Sequence, residues 1–326
     1  MIESSSVSAD WDTYWRGSSD GASFSSDGVD HPRVRQFWVD TFRALAGGEK
    51  LRLVDVASGV GAVVEIARDV LGDDGFAATC VDTSSAAMES LAARMPDVET
   101  VVGDAADMPF PDDAFDLATS QFGVEYAGLA AVGEMARVTG PGGSLVLLMH
   151  LHGGLIHTEC AGNVAAIDAM RETGFVAAAK RLFAEGQRCI RGETNGSREE
   201  YDAAVQDMIP ISRQVEALLQ QHGRDAAGGT LATLHGETDR IFGRIMHHDL
   251  DEVLEWLDRM DDELSSYRGR MQSMCDAATE LDTFAGLEKQ LHETGFDISI
   301  SAPLTDEQGR EIAWQLIATS KAGDPC

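Results

Sequence analysis

The 326-residue chain carries 55 acidic and 25 basic residues, which gives a formal net charge of −30 at pH 7. This excess of negative charge argues against general binding to nucleic acid, because the phosphates would be repelled. No apolar run reaches the ~18 residues of a membrane span, and the N-terminus lacks the basic and apolar regions of a secretory signal. We therefore expect a cytoplasmic protein that binds neither nucleic acid nor membrane. The five cysteines form no CxxC pair, which predicts reduced thiols and no metal site.

The first 46 residues are predicted to form a flap and a helix. Trp15 and Arg16 precede a loop at 18–30 that is rich in Ser, Gly and Asp, and a helix is predicted over 32–45. Aromatic residues on both sides of the loop favour a flap that closes over a pocket. The alternative is that these aromatic residues only pack the segment onto the rest of the domain.

A glycine-rich turn follows the first predicted strand. The strand at 51–56 is apolar and partly β-branched, as expected in a parallel sheet covered on both faces. Gly59 and Gly61 then allow a sharp turn and close approach of a ligand, and 62–71 has helical spacing. A dinucleotide fingerprint beginning at Gly59 would need glycine at 64, where Val64 stands, and there is no P-loop ending. The turn predicts a nucleotide-type cofactor site.

Three more strands are predicted, each ending near a polar residue or a turn. The strand at 77–81 ends at Asp82, and the strand at 98–102 leads to Gly103 and Asp104. A fourth strand at 116–122 is followed by Gly123. At 137–148 a helix is predicted to end before Pro141, and two glycines turn the chain into a fifth strand.

This order of landmarks resembles the class I S-adenosylmethionine-dependent methyltransferases. Asp55, Ala57, Gly59 and Gly61 resemble motif I of that family, with alanine in place of the usual first glycine. The resemblance covers about 35–150 and returns near the C-terminus. It implies an α/β fold, a seven-stranded Rossmann-like methyltransferase sheet, and S-adenosylmethionine as cofactor. The residues that it assigns to the cofactor are Asp55, Ala57, Ser58, Gly59, Gly61, Asp82, Thr83, Asp104, Ala105, Gln121, Trp15 and Arg16.

The resemblance also implies roles for single residues, each beside a structural alternative. Asp82 would accept hydrogen bonds from the ribose hydroxyls, or only cap the helix that begins near Ser84. Asp104 would bind the adenine amine, with the Ala105 amide near the base, or serve as a turn residue. Asp55 would order the loop or reach the methionine amino group through water. Arg16 would pair with the methionine carboxylate.

The remaining chain is predicted to contain a large insertion. The cofactor-binding core spans 47–152, and a helix with two final strands at 283–326 completes it. Between the fifth and sixth strands, residues 153–282 have helical spacing over 160–185, 199–221, 232–246 and 250–278. In the family, insertions at this position commonly form the substrate cavity. The insertion is therefore expected to act as a lid that selects the acceptor.

The candidates for proton transfer follow the fourth and fifth strands. Glu125 lies after the fourth strand, and His150 and His152 end the fifth, with His157 slightly beyond. Alternation along an extended segment would point His150 and His152 to the same side. Either could act as a general base or satisfy a buried hydrogen bond. The HHDLDE cluster at 247–252 is interpreted as a solvated helix junction rather than a metal site.

These features predict a methyltransferase that acts on an oxygen or nitrogen of a small-molecule acceptor by in-line displacement. The alternatives are a non-catalytic cofactor-sensing or partner-binding module, with the insertion forming a homodimer interface, and a peptide or protein methyltransferase. A nicotinamide-dependent dehydrogenase is a further enzyme alternative, which Val64 disfavours.

Overall fold

The computed structural model describes residues 31–46, 49–192 and 197–322. The predicted flap, including Trp15 and Arg16, lies outside the described residues, as does Cys326. The described residues divide into two compact units, one formed by those within 31–158 and 273–322 and the other by those within 159–272. The second unit lies inside the interval predicted as the insertion, 153–282.

The first half of the first unit alternates strands and helices. In chain order it contains α1 (Pro32–Leu45), β1 (Leu51–Val56), α2 (Ala62–Leu71), β2 (Phe76–Asp82), α3 (Ser85–Arg94) and β3 (Glu99–Val102). Proline at the first position of α1 suits a helix start, because its missing N–H would have had no partner there. The predicted helix at 32–45 is confirmed by α1.

The second half of this unit completes the sheet. It contains β4 (Phe115–Gln121), α4 (Val124–Ala127), α5 (Leu129–Val138), β5 (Thr139–His150), α11 (Leu281–Glu293), β6 (Phe296–Thr305) and β7 (Glu311–Ser320). The helix before Pro141 ends at Val138, as predicted. The strand itself begins earlier than predicted, at Thr139, and its pairing with β4 shifts register between Phe115 and Leu117.

The seven strands form one sheet in the order β3-β2-β1-β4-β5-β7-β6. Strands β1 to β5 run parallel, whereas β7 is antiparallel to both of its neighbours. The order reverses at β1 and β4, and ligands of open α/β sheets bind at such a switch point, beyond the carboxyl ends of the strands. The predicted α/β fold with a seven-stranded sheet is confirmed.

A hydrophobic core packs β4, β5 and β7 against the neighbouring helices. Its members Leu145, Leu147 and Leu316 are fully buried. Trp314 of β7 stacks on Phe284 of α11, with ring centroids 4.3 Å apart. The final helix is thereby fixed to the last strand.

The second unit is helical. The helices that build it are α6 (Leu155–Glu172), α7 (Phe175–Arg191), α8 (Ser197–His222), α9 (Thr230–Phe242) and α10 (Leu250–Ala277), with 3-10 turns at Ala226–Gly229 and Ile245–His247. Its core, which includes Phe175, Phe183 and Leu257, shares no residue with the core of the sheet. None of the helices described has the length and apolar character needed to cross a membrane.

The prediction of a single helix over 160–185 in the insertion is wrong. The spacing over 160–185 predicts a single helix, but the chain forms α6 and α7 with a break between them. Gly174 adopts a left-handed conformation there, with φ of 68°, and the Thr173 hydroxyl accepts a hydrogen bond from the Phe175 N–H. Glycine takes this conformation without steric cost, so the apolar spacing continues through a turn.

Candidate functional site

The loop between β1 and α2 turns through three residues with positive φ. Ala57, Gly59 and Gly61 have φ of 53°, 52° and 86°. A β-carbon at Gly61 would lie 2.7 Å from a methyl carbon of Leu91, which would have to move, and the positive φ disfavours any other residue there. The alanine that replaces the usual motif glycine adopts the same left-handed conformation, which alanine takes only at a cost of about 1–2 kcal/mol.

Asp82 ties this loop to the end of β2. One carboxylate oxygen accepts a hydrogen bond from the Gly59 N–H at 2.8 Å, and the other accepts one from the Ser84 N–H at 2.9 Å. The N-cap of α3 is Ser84, whose hydroxyl accepts from the Ala87 N–H. Asp82 therefore does not itself cap that helix, and Thr83 is exposed beside it.

Asp55 is buried between neighbouring strands. It lies opposite Cys80 of β2 and Thr119 of β4, and the Thr119 hydroxyl donates to its Oδ1 at 2.7 Å. Its Oδ2 has no hydrogen-bond partner among the described residues. Burial, with a smaller contribution from the negative charge of Asp82, raises the pKa of Asp55 to about 7, although the Thr119 hydrogen bond acts in the opposite direction. Burial and Asp55 also raise the pKa of the Cys80 thiol.

Asp104 forms a turn after β3. Its Oδ1 accepts from the Ala106 N–H at 2.8 Å and its carbonyl accepts from the Asp107 N–H at 3.1 Å. Its side chain is exposed and Ala105 is buried. At the end of β4, Gln121 accepts a hydrogen bond from the indole N–H of Trp38, which fastens α1 to this edge of the sheet.

Glu125 and His150 form a buried pair at the carboxyl ends of β4 and β5. One oxygen of Glu125, Oε1, lies 2.6 Å from Nδ1 of the His150 ring and accepts from the His150 backbone N–H at 2.8 Å. The two side chains are 2% and 3% exposed. Neither Glu125 Oε2 nor His150 Nε2 has a hydrogen-bond partner in the described part of the chain.

Aromatic rings surround this histidine. The Phe122 ring lies 4.8 Å from the His150 ring, and the Tyr126 ring meets it edge-on at 6.0 Å. Phe122 has φ of 53°, an uncommon conformation for an aromatic residue. The Ser120 hydroxyl accepts from the Val124 N–H. These contacts fix the turn that carries Glu125.

His152 is placed differently from His150. The fifth strand ends at His150, and His152 is exposed in the following turn, so strand alternation does not extend to it. Its ring lies 4.5 Å from the ring of His157. Burial, together with His152 and His150, lowers the pKa of His157.

The HHDLDE cluster forms the junction before α10. Asp249 Oδ1 accepts from the N–H groups of Asp251 and Glu252, and the His248 carbonyl accepts from the Gln187 amide. Over the ranges described, no three His, Cys, Asp or Glu side chains are grouped to hold a metal ion.

Several residues of this site were not found from the sequence. Thr119 contacts Asp55, and Phe122 packs on His150. Their residue types carry no signal of such a role, since threonine and phenylalanine in a strand are ordinary core residues. Trp38, which contacts Gln121, belongs to the aromatic residues that the sequence places beside the predicted loop. The phenylalanine before Gly123 was predicted as the last residue of the strand; the strand ends one residue earlier, at Gln121.

The sheet order and the glycine loop after β1 define a class I S-adenosylmethionine-dependent methyltransferase domain. Residues 54–147 match the family described as "Methyltransferase domain", which confirms the resemblance drawn from the motifs. The match covers less than half of the chain and ends before the helical unit.

Curated relatives resemble the same region. Demethylmenaquinone methyltransferase of Renibacterium salmoninarum is 35% identical over 122 residues, 37% of this chain and 48% of that protein. The enzyme of the same name from Beutenbergia cavernae is 38% identical over 109 residues, 33% of this chain and 44% of that protein. The chain thus spans about half the length of these relatives. A solved geranyl diphosphate methyltransferase in complex with SAM is 22% identical, covering 36% of this chain and 48% of that chain, with a TM-score of 0.32.

Proposed function

We propose that this protein is an S-adenosylmethionine-dependent methyltransferase that moves a methyl group to an oxygen or nitrogen of a small-molecule acceptor. The observation that carries the proposal is the double hydrogen bond of Asp82. Its carboxylate fixes the Gly59 amide on one side and the start of α3 on the other. A carboxylate held this way at the end of β2 suits the ribose hydroxyls of the cofactor.

The shape of the neighbouring loop fits the same cofactor. Gly59 and Gly61 present backbone without side chains, which allows a ligand to approach closely. The buried Oδ2 of Asp55 lacks a partner within the described residues. The cationic amino group of the cofactor would donate a hydrogen bond to it, either directly or through water. We assign Ala57, Ser58, Thr83, Asp104, Ala105 and Gln121 to the rim of this site.

Methyl transfer depends mainly on how the protein positions the acceptor and the cofactor. Methyl transfer is an in-line displacement, and the bound cofactor supplies an electrophilic methyl group on a sulfonium. The protein holds the acceptor atom in line with the methyl group and excludes water. Good orientation of the reactants lowers the activation barrier by about 7–11 kcal/mol. Glu125, His150 and His152 are the candidates for removing a proton from the acceptor.

We propose that the helical unit, 159–272, selects the acceptor. The chain enters this unit shortly after the carboxyl end of β5 and returns to the sheet through α11. A small-molecule acceptor is supported by the curated relatives, which are named for a small quinone-type substrate. A peptide acceptor is the alternative, and cytoplasmic residence and a homodimer remain predictions.

The first test is isothermal titration of the full chain with S-adenosylmethionine and S-adenosylhomocysteine. We expect both to bind, and Asp82→Asn to weaken both by at least about tenfold, a loss of about 1.4 kcal/mol. Asp74→Asn, an exposed control outside the site, should bind as the wild type does. Absence of binding to either compound would contradict the proposal.

A second experiment separates a catalyst from a cofactor sensor. Radiolabelled methyl-S-adenosylmethionine is incubated with the protein and a small-molecule extract of cells, and the products are separated by size. We expect label in the small-molecule fraction. Binding without any transfer would favour the sensing module, and label in a peptide or protein fraction would favour a macromolecular acceptor.

A further inference from the structure

Glu125 and His150 form a close pair, with Glu125 Oε1 lying 2.6 Å from His150 Nδ1. An ionised carboxylate only accepts hydrogen bonds, so in the pair with an ionised Glu125 the hydrogen lies on Nδ1. In the neutral ring the other nitrogen, Nε2, then carries a lone pair. The same Oε1 also holds the backbone N–H of His150, so the carboxylate orients the ring from two directions.

The lone pair of His150 Nε2 is buried and unsatisfied. Neither it nor Glu125 Oε2 has a hydrogen-bond partner among the residues described, and the two side chains are almost completely buried. A buried polar atom without a partner destabilises the site. A ligand that donates a hydrogen bond to Nε2 would remove that cost, whereas a ligand that lacks a donor would retain it.

Neighbouring aromatic rings restrict the His150 ring, and the ends of β4 and β5 determine where it lies. The rings of Phe122 and Tyr126 pack near the His150 ring, with centroids 4.8 and 6.0 Å away, which restricts its rotation. β4 and β5 pair in parallel up to Gln121 and Leu148, so their carboxyl ends, with the turn carrying Glu125 and the last residue of β5, lie at the edge where ligands of open α/β sheets bind.

We infer that the acceptor group is a hydroxyl and that His150 is the catalytic base which takes its proton, with Glu125 as the positioning residue. This inference rests on the proposed function. The acceptor oxygen forms a bond to the methyl carbon as the carbon–sulfur bond of the donor breaks, leaving a neutral thioether. The hydroxyl proton passes to His150 Nε2, and the imidazolium that results is stabilised by Glu125 and later releases the proton to water.

A hydroxyl is the acceptor that needs this base most. Its oxygen is a poor nucleophile until its proton leaves, so a base within hydrogen-bond reach accelerates the transfer by about 10²–10⁴-fold. A neutral amine attacks through its own lone pair, and a carboxylate has no proton to lose. A buried, oriented base with a vacant lone pair would bring little advantage to either of them.

The test uses the full chain with ¹³C-methyl-S-adenosylmethionine and a small-molecule extract of cells. The ¹³C chemical shift of the transferred methyl group distinguishes a methoxy product from an N-methyl or C-methyl product without identification of the acceptor. We expect a methoxy signal. A product methyl group on nitrogen or carbon overturns the inference and leaves the proposed function intact. Failure to bind the cofactor or to transfer any methyl group overturns both.

Two variants distinguish the role of His150 as the base from that of Glu125 as the positioning residue. His150→Asn retains a donor for Glu125 but removes Nε2, so we expect kcat to fall about 10²-fold or more with unchanged affinity for S-adenosylhomocysteine. Glu125→Gln can donate to Nδ1 and so place the hydrogen on Nε2; we expect a lower kcat, an unchanged KM for the cofactor and a displaced acid limb of the pH–rate profile. His247→Asn and Glu89→Gln, both exposed, are the controls.

A spectroscopic measurement covers the case in which the variants fold poorly. ¹⁵N-histidine labelling of the wild-type chain, saturated with S-adenosylhomocysteine, reports which ring nitrogen carries hydrogen, and through-bond correlation to the backbone assigns the His150 signal. We expect the hydrogen of the neutral ring on Nδ1. Hydrogen on Nε2 alone, or full methoxy formation by His150→Asn, would refute the role of His150.

Discussion

Gly123 and Ala57 fit together because only one of them has a β-carbon. A β-carbon built on Gly123 would lie 2.5 Å from the β-carbon of Ala57 and 3.0 Å from its carbonyl oxygen. These residues follow β4 and β1, the two strands at which the sheet order reverses. The alanine that departs from the family motif is therefore accommodated by a glycine on the neighbouring strand end.

We predict that Gly123→Ala destabilises the protein through this contact. An added β-carbon would overlap Ala57, and this overpacking should cost about 1–3 kcal/mol. Adding Ala57→Gly should recover part of it, because the β-carbon clash is removed while the carbonyl contact remains. The measurement is the urea midpoint of the single and double variants. Gly162→Ala, where an added β-carbon meets nothing within 4 Å, is the control, and additive effects of the two changes would contradict the pairing.

The sequence predicted the elements that depend on local pattern. The strand at 51–56, the helix at 32–45 and the stop before Pro141 follow from apolar spacing and from proline and glycine, whose effects are local. The break at Gly174 could not be predicted, because the apolar spacing continues across it and an isolated glycine is tolerated within helices.

The candidate site depends on contacts that a single sequence does not specify. Glu125 and His150 were each found as polar residues after a strand, but their 2.6 Å contact depends on the register between β4 and β5. The left-handed conformation of Phe122 was likewise unpredictable, since it results from the tight turn into α4 rather than from the residue type. His152 was misplaced because the strand ends two residues earlier than the alternation argument requires.

Asp55 should make stability depend on pH. Its pKa is raised from 3.8 to about 7 in the folded protein, so the folded chain retains a proton that the unfolded chain has lost. Stability from this group is fully present below about pH 4 and is lost as the pH rises to about 7, at no more than about 1.4 kcal/mol per pH unit.

Asp55→Asn isolates this effect because the amide stays neutral and its oxygen can still accept from Thr119. We expect the stability of the variant relative to wild type to rise with pH from about pH 4 to about pH 7 and then to level off. Urea unfolding at several pH values measures it, with Asp74→Asn as the control. A difference that does not change with pH would show that Asp55 titrates at the same pH in both states.

Trp38 should stabilise the site edge through Gln121. The indole is fully buried and donates to the Gln121 side chain, so Trp38→Phe leaves that oxygen without its donor and removes packing volume. We expect a loss of about 2 kcal/mol in the free energy of unfolding. Trp256→Phe, at a half-buried position of the helical unit, should cost less than about 1 kcal/mol. Equal losses for both variants would contradict a specific role for the hydrogen bond.

The last prediction concerns the independence of the two units. Among the described residues, the core cluster of the sheet and that of the helical unit share no residue. The chain segments that flank the helical unit contact each other within the first unit. The Thr279 N–H donates to the His150 carbonyl at 2.7 Å, and the Cys275 thiol lies 3.9 Å from the His157 carbonyl oxygen. A short Gly/Ser linker between Thr158 and Ser273 can therefore close the chain without disturbing the sheet.

We expect the shortened protein, lacking 159–272, to fold cooperatively and to retain affinity for S-adenosylhomocysteine, because the β1 loop, Asp82 and Asp55 are all kept. It should transfer no methyl group to a small molecule, since the unit proposed to select the acceptor is missing. Circular dichroism, calorimetric titration and the radiolabel assay measure the three outcomes. A folded product with lost cofactor affinity would show that the helical unit contributes to the cofactor site, and retained methyl transfer would contradict its role in acceptor selection.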